Sequence, residues 1–229
     1  MCTLSQLPDT PLFQGIGPQE LRSMLSCLSP REARFFRGEY VFLPGNPQSR
    51  IGLVLEGAVH LVLEDFWGDR TILEQAGPGQ LFGEAYACSP GAVPAAAALA
   101  AQDSRVLLLD VGRVLGVCGN ACPFHTRLVR NLVGVLAQRS LSLTKKVELL
   151  SRRTTREKLL SYLSAQSRRA GRRDFAIPFN RQQLADYLAV DRSAMSSELS
   201  RLQREGVLTV QRNQFTLLRP GEDPSAPHA

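Results

Sequence analysis

No apolar stretch in this sequence runs much beyond about a dozen residues before a charge, a proline or a glycine interrupts it, so no segment suits a membrane-spanning helix. The opening MCTLSQLPDTPLF has no basic n-region and no unbroken apolar h-region. No signal peptide is expected, and the reading is a cytoplasmic protein without a membrane partner. Histidine is scarce: only His60, His125 and the tail residue His228 are present. No nucleophile–base pairing or phosphate loop accompanies them, which argues against an enzyme. The cysteines Cys2, Cys27, Cys88, Cys118 and Cys122 are odd in number and scattered, which excludes a disulfide framework and leaves reduced thiols as the default. Arginine and lysine are absent between Arg70 and Arg105, an absence that bears on ligand chemistry below.

What is present points to two regions of different character. The 229 residues, 44% of them apolar, suffice for one large domain or two small ones. Residues 1–144 carry a net charge of −1, residues 145–219 carry +9, and 220–229 carry −2. Such asymmetry suits a chain whose back half meets a polyanion, although a solvated Lys/Arg surface would give the same count.

From about residue 12 to 110 the pattern is of short strands punctuated by turn residues. Tyr40–Leu43 stops at Pro44-Gly45-Asn46-Pro47, Ile51–Leu55 at Glu56-Gly57, Val59–Leu63 near Trp67-Gly68-Asp69, and Thr71–Leu73 at Gly77-Pro78-Gly79. Val106–Leu109 adds a buried-strand candidate. Turn chemistry at such short intervals indicates an antiparallel sandwich or roll. Pro18 near a helix start, with Leu21, Met24, Leu25 and Leu28 on one face, predicts a short helix ahead of it. A long helix follows, opened by Pro123. Val129, Leu132, Leu136, Arg139, Leu143, Lys146 and Leu150 repeat at alternating spacings of 3 and 4. That is a heptad-like seam, two of whose positions are charged. A helix lying on its own domain would also show it, but a seam of this length more often pairs with a symmetry mate.

Thr154 and Glu157 then have capping-box spacing ahead of Leu159, Leu160 and Leu163. After a basic loop at Arg168–Arg173, a short strand is expected at Phe175–Phe179, and Asn180 is an N-cap candidate. In RQQLADYLAVDRSAMSSELSRL, residues 181–202, Leu184 and Leu188 give the first helix an apolar face. Ala189-Val190-Asp191 breaks it, and Asp191 can cap the next helix. There Met195, Leu199 and Leu202 must face inward, leaving Arg192, Ser193, Ser196, Ser197, Ser200 and Arg204 on a narrow surface that fits a DNA major groove. Gly206 ends that helix. Val207–Val210 and Gln214–Leu218 form a hairpin with Arg212 at its tip, a wing. The alternative, a small helical domain with one exposed polar face, explains neither the charge nor the spacing.

These motifs, in this order and together with Gly79-Gln80-Leu81-Phe82-Gly83-Glu84 closing the roll, resemble the CRP/FNR superfamily of bacterial transcription regulators over about Leu12 to Leu218. The resemblance implies an α+β chain: an N-terminal antiparallel β-roll of the cyclic-nucleotide-binding type, a long dimerisation helix and a C-terminal winged helix-turn-helix. The expected division is 1–120 sensing roll, 121–152 long helix, 153–219 DNA-binding domain and 220–229 tail. It further implies base contacts from Asp191, Arg192, Ser193 and Ser197, within a DNA-binding set of Arg181, Asp191, Arg192, Ser193, Ser196, Ser197, Arg201, Arg204 and Arg212. Ser193 and Ser197 stand where well-known members have Glu and Arg, so the half-site read differs from the usual one. If the turn at Ala189 needs positive φ, alanine there costs up to about 1 kcal/mol. The expected partners are a second copy of the chain, palindromic double-stranded DNA with half-sites about 34 Å apart, a small-molecule effector and, for an activator, RNA polymerase.

In cyclic-AMP-binding relatives a Gly-Glu pair holds the ribose and a downstream Arg-Ser pair the phosphate. Gly83 and Glu84 match the first pair, but Pro94 and Ala95 stand at the second. A phosphodiester anion in a partly buried pocket needs a cationic partner, or desolvation costs several kcal/mol. Cyclic AMP is therefore not expected. The residues read instead as an apolar effector pocket drawing on Phe82, Gly83, Glu84, Ala85, Tyr86, Pro94, Ala95 and Ala96, with Val129 and Leu132 from the long helix. A neutral or aromatic organic effector fits this reading. The alternatives are a haem- or thiol-based gas or redox sensor, with His60, Cys88, His125 or another cysteine as axial ligand. Cys118-x3-Cys122-x2-His125 reads more readily as small apolar filler than as a metal site.

Overall fold

The computed structural model describes residues 7–116 and 123–218. The chain divides into two compact units, Met1–Ser142 and Leu143–Ala229, and the boundary falls inside the long helix. Cys2, Cys118, Cys122 and the tail 220–229 lie outside the described residues.

The first unit opens with a 3-10 turn, Pro11–Phe13, and helix α1, Pro18–Leu28. Pro18 occupies the first turn and Glu20 accepts the Gly17 amide at 2.8 Å. Eight strands follow: β1 Arg31–Phe35, β2 Tyr40–Phe42, β3 Arg50–Glu56, β4 Val59–Glu64, β5 Arg70–Ala76, β6 Leu81–Phe82, β7 Ala97–Ala100 and β8 Ser104–Asp110. They form two four-stranded antiparallel sheets, ordered β1-β8-β3-β6 and β2-β7-β4-β5. Short helices α2, Glu84–Ala87, and α3, Val111–Leu115, flank the last strands, and α4 runs Pro123–Leu150.

The sequence pattern predicts β2, β3, β4, β5 and β8 but not β1, the two-residue β6 or β7. β1 is an edge strand carrying Arg31, Glu32 and Arg34, charges that an edge tolerates and that protect it from pairing with strangers. β7 is Ala97-Ala98-Leu99-Ala100, poor in β-branched residues. It sits between β2 and β4, where small side chains let the sheet pack closely. Val54, Val59, Ala76, Phe82, Ala98 and Val106 form the core of the roll. A second cluster joins Leu53, Leu107 and Leu109 to Leu25 and Leu28 of α1 and to Leu128 and Leu132 of α4. Gly52 is required because the Phe82 ring lies where its Cβ would be, 2.2 Å away.

The second unit holds the end of α4, α5 Thr155–Ala170, β9 Asp174–Ala176, α6 Arg181–Leu188, α7 Arg192–Arg204, β10 Leu208–Gln211 and β11 Gln214–Leu217. Thr154 and Glu157 form the predicted capping box, and Asn180 caps α6 with Gln183 as its reciprocal partner. β10, β11 and β9 make a three-stranded antiparallel wing. Leu159, Leu163, Leu184, Leu188, Met195, Leu199, Leu202, Leu208 and Phe215 close one core, each at most 2% exposed.

Candidate nucleic-acid interface and effector region

α7 starts at a well-formed N-cap. Asp191, in extended conformation, accepts the Ala194 amide at 2.7 Å and the Ser193 hydroxyl. These bonds hold its carboxyl below the usual aspartate range. The turn before it needs a left-handed residue: Ala189 has φ 49° and ψ 61°, so the strained conformation anticipated there is present. With Met195, Leu199 and Leu202 buried, Arg192, Ser193, Ser197, Ser200 and Arg204 are exposed and Ser196 is half-buried. The helix has acidic residues, but they face elsewhere. Glu198 and Glu205 bind Arg156 of α5 at 3.0 and 2.6 Å.

Arg192, Arg204 and Arg212 are exposed and have no ion-pair or side-chain hydrogen-bond partner among the described residues. Arg212 occupies the tip of the wing with φ 56°. Two residues of the predicted DNA-binding set differ. Arg181 folds over the Phe215 ring, 5.6 Å from its centroid, with one guanidinium nitrogen buried; it braces the wing instead of projecting from it. Arg201 is exposed, but its Nε donates to Glu205 at 2.9 Å, one turn on, so any phosphate would have to compete with that carboxylate.

The predicted effector residues divide between the core and the surface. Phe82 is 1% exposed and stacks on Phe42, Ala96 is a core residue, and Pro94 is buried with its carbonyl accepting from Gly45. Ala85 and Ala95 point to solvent, and Tyr86 is half-buried. Gly83, left-handed at φ 75°, starts α2. From α4, Leu132 belongs to the core and Val129 is half-buried. The Glu84 side chain is 3% exposed and meets the Arg139 guanidinium, Nε to Oε1, at 2.8 Å. Arg139 also reaches Glu74 and donates to the Leu81 carbonyl. The carboxylate that binds ribose in the family is thus engaged by the chain's own long helix. Burial holds Glu84 above the usual carboxylate range and lowers Arg139 to about 10.

A cleft of about 420 Å³ lies nearby on α4, lined by Gln14, Gly79, Gln80, Leu81, Arg130, Gly134, Gln138 and Arg139 among others. None of the ten predicted pocket residues contributes to it. Gly134 leaves open space where a Cβ would stand, and Asn131 fixes one wall by donating to the Leu12 and Gln14 carbonyls at 2.9 Å each.

The heptad-like seam is also corrected. Leu132 is in the core, Arg139 holds the two glutamates, and Lys146 is 7% exposed beneath α6. The exposed apolar residues of α4 are offset from it: Val133, Ala137, Leu141, Leu143 and Val147, of which only Leu143 belongs to the expected set. Both described histidines have partners. His60 is 4% exposed with its Nε2 3.3 Å from Gln75 Oε1, and His125 Nε2 binds the Val114 carbonyl at 2.9 Å. Burial raises the Cys88 thiol, and Cys27 is exposed.

Residues 157–222 match the Crp-like helix-turn-helix domain and residues 32–120 the cyclic nucleotide-binding domain. The cyclic AMP receptor protein of Thermus thermophilus is 29% identical over 199 residues, covering 87% of this chain and 88% of that one. Among solved structures, a CooA mutant from Carboxydothermus hydrogenoformans aligns with TM-score 0.73 at 20% identity, over 94% of this chain and 95% of that one. FixK2 from Bradyrhizobium japonicum aligns with TM-score 0.67 at 24% identity, over 83% and 93%; at these identities the likeness is one of fold. The chain belongs to the CRP/FNR superfamily. It is a CRP/FNR-type transcription regulator with a cyclic-nucleotide-binding-type domain and a helix-turn-helix DNA-binding domain.

Proposed function

We propose that the protein works as a homodimer that reads a palindromic operator with α7 and answers to a small molecule other than cyclic AMP. The observation that carries the DNA-reading part is the outer face of α7, where Arg192, Ser193, Ser197 and Arg204 are exposed while both glutamates are turned onto Arg156. Short polar side chains between cations enter a major groove without a carboxylate meeting phosphate. The exposed apolar side of α4, with Val133, Ala137 and Leu141, supports pairing with a second copy. An activator of this kind would also contact RNA polymerase.

For the effector, the 420 Å³ cleft on α4 is better suited than the Gly83–Ala96 segment. It carries Arg130 and Gln138, whereas Glu84 already has its cation. A polar, anion-bearing ligand there would compete for Arg139 and so bias how α4 is held. Binding alters DNA affinity only through its differential affinity for two such arrangements. The second reading, cyclic AMP, is favoured by the match to the nucleotide-binding domain and by the likeness to a cyclic AMP receptor protein.

Binding to random and selected duplexes across a salt titration tests the reading. Affinity should fall steeply with salt, and a selected palindrome should outcompete bulk DNA. Arg192→Ala should relax operator choice by about 1–3 kcal/mol with the fold intact. Preference that survives this change removes α7 from the reading role. Native mass spectrometry and an absorption spectrum of the purified protein, with cyclic AMP as one added ligand, address the effector.

A further inference from the structure

Helix α6 ends at Ala189, and the turn that follows aims α7. The Ala189 and Val190 amides close that end on Asp186 and Ala185 carbonyls. The last carbonyls, of Tyr187, Leu188 and Ala189, would then lie at the negative end of a helix that has no basic residue in its own last turn. Two lysines from other helices fill the place. Lys146 of α4 donates from Nζ to the Tyr187 carbonyl, and its ammonium lies 3.0 Å from the centroid of the Tyr187 ring. Lys158 of α5 donates to the Leu188 and Ala189 carbonyls, each at 3.3 Å.

Two cations beside each other, one of them 7% exposed, repel and lose hydration. The last three carbonyls of α6 and its C-cap, which accept from these ammonium groups, and the aromatic face beside Lys146 offset that cost. Lys146 is too buried to touch a phosphate.

We propose that Lys146 and Lys158 are positioning residues of the DNA-reading helix: their ammonium groups fix the α6–α7 turn, and so set operator affinity, without contacting DNA. This rests on the reading of α7 as the recognition helix. Among the groups facing Lys146 are Lys158 from α5 and Tyr187 from α6, with Tyr162 of α5 in ring contact with Tyr187. Burial and Lys158 bring Lys146 down to about 7. No histidine occurs from Leu143 to Leu218, so a proton-linked change of affinity near neutrality within this unit has Lys146 as its source. The cation complements the carbonyls, so affinity should weaken as pH rises through this range.

The test uses the full chain and a duplex selected by the wild type, with fluorescence anisotropy across salt and from pH 6 to 8. Lys146→Met should weaken selected binding about tenfold at pH 6, with an unchanged slope of log affinity against log salt, because no phosphate contact is lost. Its affinity should be flat with pH, and Lys146→Arg should recover most of the loss. Lys158→Met, at a half-buried site where folding is less at risk, should shift affinity in the same direction. A wild-type affinity that does not change between pH 6 and 8, a Lys158→Met chain that binds like wild type, or a salt slope that drops in Lys146→Met overturns the proposal. If the wild type shows no selected, salt-sensitive binding at all, the DNA-reading assignment itself fails.

Discussion

Replacing Arg139 with Met removes the cation from Glu84 while keeping most of the volume of its stem. The Glu84 side chain is 3% exposed and that of Arg139 20%. Breaking one side of so buried a pair leaves an uncompensated carboxylate and costs about 3–5 kcal/mol. With an m-value of about 2 kcal/mol/M in urea, a loss of about 3 kcal/mol moves the unfolding midpoint by about 1.5 M. The penalty must also depend on pH. Glu84 is held above its ordinary value by burial, and losing Arg139 raises it further. A carboxyl whose folded value is raised keeps a proton that the unfolded chain has released, so stability falls as pH climbs from about 4.3 through the folded value. The Arg139→Met defect should therefore be small near pH 5 and full near pH 8. Urea unfolding followed by far-ultraviolet circular dichroism at both values, on wild type, Arg139→Met, Glu84→Gln and the double variant, measures this. The double variant should be more stable at pH 8 than the sum of the singles implies, by about 1–3 kcal/mol. Simple additivity, or an Arg139→Met midpoint equal to wild type at pH 8, refutes the idea that this cluster clamps α4 to the roll.

Two further substitutions probe strained backbone. Ala189 is exposed with φ 49°, so Ala189→Gly should raise stability by about 0.5–1 kcal/mol, visible as a higher thermal midpoint; a decrease would show that its methyl group is needed for packing. Arg212→Gly, at φ 56° on the wing tip, should relieve a similar strain yet weaken binding to all duplexes alike and reduce the salt slope by about 1. An unchanged slope would mean that the wing does not meet phosphate.

The elements were legible where one local signal decides them. Thr154 with Glu157, Asn180, Asp191 and Gly206 mark helix ends through bonds formed within three or four residues, and each end falls there. The inward placing of Met195, Leu199 and Leu202 follows from helical period alone. What sequence could not supply was the partner of a group that meets it far along the chain. Glu84 and Arg139 stand 55 residues apart, so local pattern places Glu84 at the close of the roll and in the expected pocket, Arg139 in a seam, and nothing in it pairs them. Glu198 and Glu205 likewise depend on Arg156, more than 40 residues earlier, to turn them off the DNA face. Yet the signal for α4 was visible: Arg139 and Lys146 interrupt an otherwise apolar repeat. A buried side of a helix carries a charge only where something meets it, so those two interruptions argue against the seam as a free surface. Each marks a place where α4 is held within its own unit, by Glu84 for Arg139 and by the end of α6 for Lys146. A surface for a second copy then has to come from the remaining side, and the exposed Val133, Ala137 and Leu141 occupy it.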